Sequence, residues 1–317
     1  MVSLQFRGMD SMGPLITIFG CGYVGSALAQ EALKRGWRVR ALTRNEDKAR
    51  LLEGLGAEVL VADLADRNWH RKWPERGDYL INTVSAASRS IDGYRHSYLE
   101  GMKSVIGWAA GGSTAAQLVY TGSTSVYPQT DGSDVTESDT GFDAAGLRPS
   151  AEVLLEAEDL LQEPLPGIRR AFVLRLAGIY GPGRHYLLDQ LREGKLEFAG
   201  SGDYWVNLIH RDDIVSAIFA ALQSSDRVTD RIFNVSDGHP VLKQDLVQWL
   251  ANALELGRTT FNPDRKTARQ ISRSDGAGRM PHRVVRVDRI QQQLNWEPSY
   301  VNFKAGYAAL GVGSDQP

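Results

Sequence analysis

The chain has 317 residues, which is enough for one large α/β domain or for one domain with a smaller lobe. Hydrophobic residues make up 42% and charged residues 23%, and the formal net charge is −2. This balance is typical of an ordinary globular protein and gives no electrostatic reason to expect a nucleic-acid or membrane partner.

The predicted elements begin after residues 1–13, which lack the apolar core of a signal peptide and are interpreted as a flexible leader. The predicted strands, in chain order, are Leu15–Phe19, Trp37–Leu42, Ala57–Val61, Asp78–Val84, Ala116–Thr121, Arg170–Leu176 and Arg231–Val235. The predicted helices are Ser26–Arg35, Glu46–Leu55, Tyr98–Ala110, Ser150–Gln162, Leu187–Leu191, Asp212–Leu222 and Leu242–Leu254. The polar, basic stretch 258–283 is predicted to be a long loop.

Strands that alternate with helices predict parallel βαβ units, and therefore an α/β fold with a doubly wound Rossmann sheet. We expect residues 14–184 to form the dinucleotide-binding domain, with 205–235 returning to it. Residues 185–204 and 236–317 are expected to form a smaller α/β substrate lobe at the carboxyl edge of the sheet, where ligands bind in open α/β folds.

The turn between the first strand and the first helix carries the sequence Gly20-Cys21-Gly22-Tyr23-Val24-Gly25, a G-x-G-x-x-G pattern. In this context Gly20 permits the tight turn, Gly22 leaves room for a pyrophosphate, and Gly25 lets the helix approach the strand. The helix N-terminus then presents free N–H groups to the phosphates. The chain is thus predicted to bind a dinucleotide. Cys21 is interpreted as a small filler; a reactive thiol lowered in pKa by the helix terminus is the alternative.

The end of the second predicted strand distinguishes the two nicotinamide dinucleotides. A carboxylate about 20 residues after the first glycine binds the ribose 2′-hydroxyl of NAD, but this chain has Thr43 and Arg44 there. An arginine suits a 2′-phosphate, so NADP(H) is favoured over NAD(H). Asp63, after the third strand, is assigned to the adenine end, although it is also interpretable as a turn or N-cap residue. Ser85 and Ala86, after the fourth strand, are assigned to cofactor binding.

Four segments carry a family resemblance. They are the glycine turn with Asp63-Leu64, the sequence VYTGSTSVY at 119–127, LRLAGIYGPGR at 174–184, and NLIHRDDI at 207–214 followed by IFNV at 232–235. In this order they resemble the extended short-chain dehydrogenase/reductase family, the relatives of nucleotide-sugar epimerases and dehydratases. The resemblance covers roughly residues 15–300. It implies a small-molecule substrate and, by analogy, a homodimer.

Typical members of that family use a Ser/Thr, a Tyr and a Lys as catalytic groups. Ser123 matches the Ser/Thr position, but the stretch GLRPSAEVL at 146–154 contains neither the tyrosine nor the lysine of the usual Tyr-xxx-Lys pair. The chain is therefore identified as an atypical member. Ser123 and Tyr127 are the predicted catalytic residues, with Tyr180 and His185 as further candidates; Tyr127 is also interpretable as an aromatic wall.

Arg184, after the Gly-Pro-Gly turn, and His210 are assigned to the substrate. A structural histidine and a surface arginine are the alternatives at these positions. The six histidines show no tight ligand spacing, so no metal is expected. The single cysteine excludes an internal disulfide and fits a reducing compartment, and no apolar run approaches a membrane span. We therefore expect a cytoplasmic protein with no membrane partner.

Two functions stay open from the sequence. The first is an NAD(P)-dependent oxidoreductase or epimerase-like enzyme that acts on a small, sugar-like substrate. The second is a non-catalytic NAD(P)-binding redox sensor or partner-binding protein, which the missing Tyr-xxx-Lys pair favours. The retained Ser123 and the 174–184 segment favour the enzyme.

Overall fold

A computed structural model describes residues 13–112, 116–266 and 280–313. Its centre is a seven-stranded sheet in the order β12-β7-β5-β4-β1-β2-β3, in which every neighbouring pair is parallel. The strands of this sheet are β1 (Leu15–Phe19), β2 (Arg38–Thr43), β3 (Glu58–Val61), β4 (Tyr79–Asn82), β5 (Ala116–Ser123), β7 (Ile168–Leu176) and β12 (Ile232–Val235). The remaining strands are short: β6 (Asp134–Val135), β8 (Gly178–Tyr180), β9 (Glu197–Ala199), β10 (Trp205–Val206), β11 (Leu208–His210), β13 (Val241–Leu242), β14 (Thr260–Asn262) and β15 (Val284–Val285).

Helices cover both faces of the sheet. They are α1 (Tyr23–Lys34), α2 (Glu46–Gly54), α3 (Ile91–Tyr94), α4 (Gly101–Ala109), α5 (Pro149–Asp159), α6 (Tyr186–Arg192), α7 (Arg211–Leu222), α8 (Lys243–Ala253), α9 (Asp288–Leu294) and α10 (Phe303–Ala308). Short 3-10 turns occupy Arg67–Arg71 and Thr124–Val126, and a π-helical turn, Arg95–Glu100, joins α3 to α4.

The order of the strands explains where a ligand can bind. From β1 the chain moves outward to β2 and β3, then returns to place β4 on the other side of β1. The connections on the two sides diverge at this switch point, and a crevice opens there at the carboxyl ends of the strands. Apolar side chains fill both faces, for example Ile16 and Ile18 on one and Phe19 with Trp108 on the other. The predicted α/β Rossmann fold is confirmed.

Two elements differ from the expectation. The helix predicted to start at Tyr98 begins at Ile91 and contains the π-helical turn, which the periodicity of the sequence did not indicate. The stretch predicted as a loop at 258–283 contains β14, which pairs with β9. Residues 267–279 of that stretch, and residues 1–12 of the predicted leader, lie outside the described residues.

A separate apolar cluster packs the C-terminal helices against one another. Its buried members include Leu188 of α6, Leu250 of α8 and Tyr307 of α10, and Tyr180 joins it from the segment after β7. Tyr180 follows the carboxyl end of β7 by four residues, and its ring stacks on that of Tyr307 with 5.1 Å between the ring centroids. The cluster therefore borders the carboxyl edge of the sheet. In the part of the chain that the structure describes, no helix is long and apolar enough to cross a bilayer.

Candidate active site

A cleft of about 830 Å³ lies at the carboxyl edge of the central sheet. One half, which we call the β2–β3 half, is formed by the residues that follow those two strands; the β4–β5 half is formed by the residues that follow β4 and β5. The turn after β1 lies between them. A dinucleotide in a Rossmann fold crosses the sheet here, with its pyrophosphate at the first helix. The predicted residues that line the cleft are Gly20, Cys21, Gly22, Tyr23, Val24, Thr43, Arg44, Asp63, Ser85, Ser123 and Arg184.

The glycine turn has the geometry that its sequence predicts. Gly20 has φ +87°, and a Cβ atom there would lie 2.7 Å from the backbone of Val84. At Gly22 the nearest heavy atom to such a Cβ would be 4.0 Å away, which leaves space on the cleft side. Gly25 is outside the cleft lining, since it packs under the turn: its Cβ would lie 2.6 Å from the carbonyl oxygen of Gly20. The turn therefore leaves open space beside the N-terminus of α1, where no side chain caps the helix.

Cys21 is a filler in this turn, as the preferred interpretation held. Its thiol is fully buried and lies 3.7 Å from the carbonyl oxygen of Ile18. Burial raises the pKa of this thiol from 9.0 to about 12. A neutral buried thiol is a poor nucleophile, so Cys21 contributes packing and no covalent chemistry.

The β2–β3 half carries charged and polar groups at the mouth of the cleft. The Arg44 guanidinium is half-exposed and lies 3.6 Å from Asp63, whose carboxylate also contacts His96 at 3.0 Å. Burial acts to raise the pKa of Asp63, but the Ala65 N–H group, His96 and Arg44 outweigh it and hold the pKa below its ordinary value. The ionised Asp63 carboxylate therefore lies beside the Arg44 guanidinium. A phosphate group bound in the cleft could pair with the same guanidinium.

Asn45 and Lys48 are cleft residues that the sequence reasoning missed. Asn45 is the N-cap of α2, where its side chain accepts a hydrogen bond of 2.8 Å from the backbone N–H of Lys48. The capping pattern places residue 48 in the first turn of the helix, next to the end of β2. The Asn45 capping pattern was therefore the sequence signal that a second cation, Lys48, lies in the same half of the cleft as Arg44.

Ser123 lies in the β4–β5 half, where its hydroxyl accepts a hydrogen bond of 3.1 Å from the N–H of Ser125. Tyr127 does not join it, and its assignment as a catalytic residue is wrong. The Tyr127 ring is fully buried, and its hydroxyl donates to Asn234 at 2.6 Å and accepts from Arg175 at 3.0 Å. Burial raises the pKa of this phenol to about 12. Tyr127 is held behind the cleft by strands β7 and β12.

Several other candidates also lie away from the cleft. His210 is 1% exposed and caps α7 by accepting a hydrogen bond of 3.3 Å from the N–H of Asp212, so its assignment to the substrate is wrong. Tyr180 is buried in the C-terminal cluster, and His185 accepts from the Gly183 N–H within its own turn. Ala86 is absent from the lining, although Ser85 directly before it lines the cleft.

Other lining residues of the β4–β5 half were not predicted. Among them are Tyr98 and Arg148, which is the N-cap of α5 at the place where the Tyr-xxx-Lys pair was sought. Arg283 also lines the cleft, and its guanidinium donates to the carbonyl oxygens of Tyr127, Gln129 and Thr124. The signal for Arg148 was its position directly before Pro149, which begins a helix. In the described ranges no cluster of three or more potential metal ligands occurs.

Comparisons with known proteins follow this geometry. The model of the NAD dependent epimerase/dehydratase family matches residues 16–236. Protein YeeZ of Escherichia coli is 31% identical over 234 residues, which cover 71% of this chain and 78% of YeeZ. The 2-alkyl-3-oxoalkanoate reductase of Stenotrophomonas maltophilia is 26% identical over 265 residues, or 80% of this chain and 79% of the reductase.

Among solved structures, UDP-glucuronic acid 4-epimerase from Bacillus cereus, in complex with UDP-glucuronic acid and NAD, has a TM-score of 0.75 at 16% identity. The alignment covers 94% of this chain and 99% of the epimerase, which reflects a shared fold. The family model extends from within β1 to the residue after β12, so it spans all seven strands of the central sheet, while Pro281 and Arg283 of the cleft lining lie beyond it. The chain belongs to the NAD dependent epimerase/dehydratase family.

Proposed function

We propose that the protein is an NADP(H)-preferring oxidoreductase that transfers hydride to or from a small carbonyl or sugar-like substrate. The observation that carries this proposal is that the glycine turn, Arg44 and Ser123 all line one cleft. In that arrangement the turn binds the pyrophosphate, and Ser123 donates a hydrogen bond to the substrate oxygen beside the nicotinamide ring. When bound, the dinucleotide supplies the hydride. The 3-oxo group that the Stenotrophomonas relative's name contains supports a carbonyl substrate.

Preference for NADP(H) rests on Arg44 and Lys48, which share the β2–β3 half of the cleft. A 2′-phosphate adds about two negative charges there, and each charge-assisted hydrogen bond contributes about 1.5–3 kcal/mol. The Asp63 carboxylate lies 3.6 Å from the Arg44 guanidinium and keeps it in this half of the cleft before the cofactor binds. A 2′-hydroxyl offers no comparable partner for these cations.

Replacing Arg44 with alanine should weaken NADPH binding by about 10- to 100-fold, because at least one charge-assisted contact is lost. NADH binding should change by less than about twofold, since NADH lacks the 2′-phosphate. Fluorescence titration of each reduced cofactor measures both constants. Arg50→Ala is the matched control, because Arg50 is an exposed arginine of α2 that pairs with Asp47. An equal loss for both cofactors in Arg44→Ala would refute the preference.

The charge of the cleft favours an anionic substrate. Its described lining contains five cations, Arg44, Lys48, Arg148, Arg184 and Arg283, and one carboxylate, Asp63. Three of those arginines lie outside the β2–β3 half, where the 2′-phosphate binds. Because clefts that carry one sign of charge concentrate ligands of the opposite sign, a carboxylate or phosphate group on the substrate fits this surface. Arg184 is the residue that we assign to it.

Arg184→Ala should raise the KM for acetoacetate by about tenfold and leave the KM for ethyl acetoacetate within about twofold. The two probes carry the same carbonyl and differ in the charged group, so the comparison isolates the contribution of charge. Arg192→Ala, an exposed arginine of α6 that pairs with Asp189, serves as the control. Equal changes for acid and ester would mean that Arg184 does not bind the anion.

The alternative function, a non-catalytic NAD(P)-binding sensor, is favoured by one observation: the buried Tyr127 hydroxyl cannot reach the cleft. A substrate panel separates the two functions. It comprises acetoacetate, ethyl acetoacetate and pyruvate with NADPH, and UDP-glucuronic acid with NADP⁺. Turnover of any member supports the oxidoreductase. Tight NADPH binding without turnover of any member would support the sensor instead.

A further inference from the structure

Tyr98 is held in the cleft by an irregular turn of helix. Residues Arg95–Glu100 form a π-helical turn between α3 and α4. Such turns are rare and are found frequently at functional sites. Here the Ser97 hydroxyl accepts a hydrogen bond of 2.9 Å from the N–H of Ala87, in the loop after β4. The next residue, Tyr98, lines the cleft.

The Tyr98 ring is fixed from two sides. It packs against the cluster on the β4–β5 face of the sheet, and also against the cluster of Val126 and Leu154 that lies behind the segment after β5. The Tyr94 ring also packs against it, at 5.3 Å between centroids. The Tyr98 side chain held in this way lines the same cleft as Ser123. Preorganisation of this kind is what a proton-transfer group requires.

The chemistry of the neighbouring groups selects Tyr98. The other hydroxyls that line the β4–β5 half belong to serine and threonine, for example Ser85, Ser123 and Thr124. Aliphatic alcohols are far weaker acids than a phenol, and arginine does not give up its proton in proteins. Two other phenols line the cleft. The Tyr23 hydroxyl donates to the carbonyl oxygen of Pro182, and Tyr204 directly precedes β10, outside the β4–β5 half. Tyr98 is thus the phenol that shares the β4–β5 half with Ser123.

We propose that Tyr98 is the proton donor of the reaction, a role that rests on the proposed reductase function. When bound, the reduced dinucleotide would supply a hydride with its electron pair, and a C–H bond would form at the substrate carbonyl carbon. The C=O π pair moves to oxygen, which takes the proton from the Tyr98 hydroxyl. The products are an alcohol, the oxidised dinucleotide and a phenolate, which regains a proton from water. The Ser123 hydroxyl holds the substrate oxygen in place.

Burial suits Tyr98 to the reductive direction. It raises the pKa of this phenol above its ordinary value of 10.0, although the Ala86 N–H group acts to lower it. The group is therefore protonated at neutral pH, which is the state that a donor needs. We expect the rate of carbonyl reduction to be constant from about pH 6 to about pH 9, since Tyr98 does not ionise in that range.

The test compares Tyr98→Phe with Tyr94→Phe, the same substitution one helical turn earlier. The probes are NADPH with acetoacetate and with ethyl acetoacetate. Loss of the donor should lower kcat by about 10²- to 10⁴-fold, while the NADPH dissociation constant stays within about twofold. The solvent deuterium isotope effect on the residual rate should also change. Tyr94→Phe should retain the wild-type kcat, because it keeps the ring that packs against Tyr98 and removes only the hydroxyl of a residue outside the described cleft lining.

The outcomes separate the two proposals. If the wild type reduces a probe and Tyr98→Phe reduces it with the same kcat, the role of Tyr98 is overturned and the reductase function stands. Wild-type protein that binds NADPH but turns over no member of the substrate panel would overturn the reductase function and this role with it. The wild-type pH profile is a measurement that depends on no variant. A loss of reduction rate with an apparent pKa between about 6 and 8 would assign the proton to another group.

Discussion

Replacing Gly20 with alanine is expected to abolish measurable NADPH binding and to lower the free energy of unfolding by about 2–5 kcal/mol. Two causes add. The φ of +87° strains any L side chain, at about 1–2 kcal/mol. The new methyl group also meets the Val84 backbone at 2.7 Å, and overpacking of that kind costs about 1–3 kcal/mol. Relief requires the turn to move away from β4, which displaces the N–H groups that face the pyrophosphate. Isothermal titration with NADPH and urea denaturation measure the two effects.

Gly36→Ala separates strain from the clash. Gly36 also has a positive φ, +75°, but no atom lies within 4 Å of an added Cβ. This control should lose only the stability that the backbone strain costs, and it should bind NADPH as the wild type does. If Gly20→Ala bound NADPH with wild-type affinity, the phosphates would not bind at this turn, and the cofactor site would have to be sought elsewhere in the cleft.

The cleft lining at the glycine turn and in the β2–β3 half was predictable because its determinants are local in sequence. Gly20 and Gly22 act through their own backbone, and Arg44 is fixed by the end of the strand that it follows. A glycine pattern between a strand and a helix therefore specifies both fold and phosphate site. Lys48 was equally local, since the Asn45 cap determines where the first turn of α2 lies.

The β4–β5 half of the cleft was not predictable in the same way, because its geometry depends on residues far apart in sequence. The orientation of the Tyr127 hydroxyl is set by Asn234 and Arg175, which are 107 and 48 residues away. Tyr98 reaches the cleft through a π-helical turn, and an apolar periodicity of 3.6 residues does not reveal such a turn. In both cases a distant strand or an irregular turn decided which tyrosine faces the cleft.

The same buried network behind the cleft yields the largest expected effect on stability. Arg175 and Glu158 form a salt bridge of 2.7 Å in which each side chain is 3% exposed. The guanidinium also donates to the Tyr127 hydroxyl and to the carbonyl oxygen of Glu137, at 3.0 and 2.9 Å. Burial acts to lower the pKa of Arg175, but Glu158 and Tyr127 outweigh it and raise this pKa, so the guanidinium stays charged. Each of its three nitrogens donates a hydrogen bond inside the protein.

Arg175→Met should lower the free energy of unfolding by about 3–5 kcal/mol at pH 7, because a buried carboxylate loses its partner. Arg95→Met is the matched control. Arg95 makes a similar salt bridge, of 2.9 Å, with Glu156, which lies in α5 as Glu158 does, but the Arg95 side chain is 47% exposed. That exposed pair should contribute no more than about 1 kcal/mol. Chemical denaturation of both variants measures the difference.

The pH dependence identifies Glu158 as the cause of the loss. Burial already raises the pKa of Glu158 above its ordinary 4.5 although Arg175 acts to lower it, so removing Arg175 raises this pKa further. A carboxyl group with a raised folded-state pKa stabilises the fold below its unfolded pKa, and this contribution is lost as the pH rises through the folded value. The deficit of Arg175→Met should therefore shrink as the pH falls towards about 4. The double variant Arg175→Met/Glu158→Leu should recover most of the stability at pH 7, since no buried charge remains. A double variant less stable than Arg175→Met would instead attribute the loss to packing around Tyr127, because removing the carboxylate would then bring no gain.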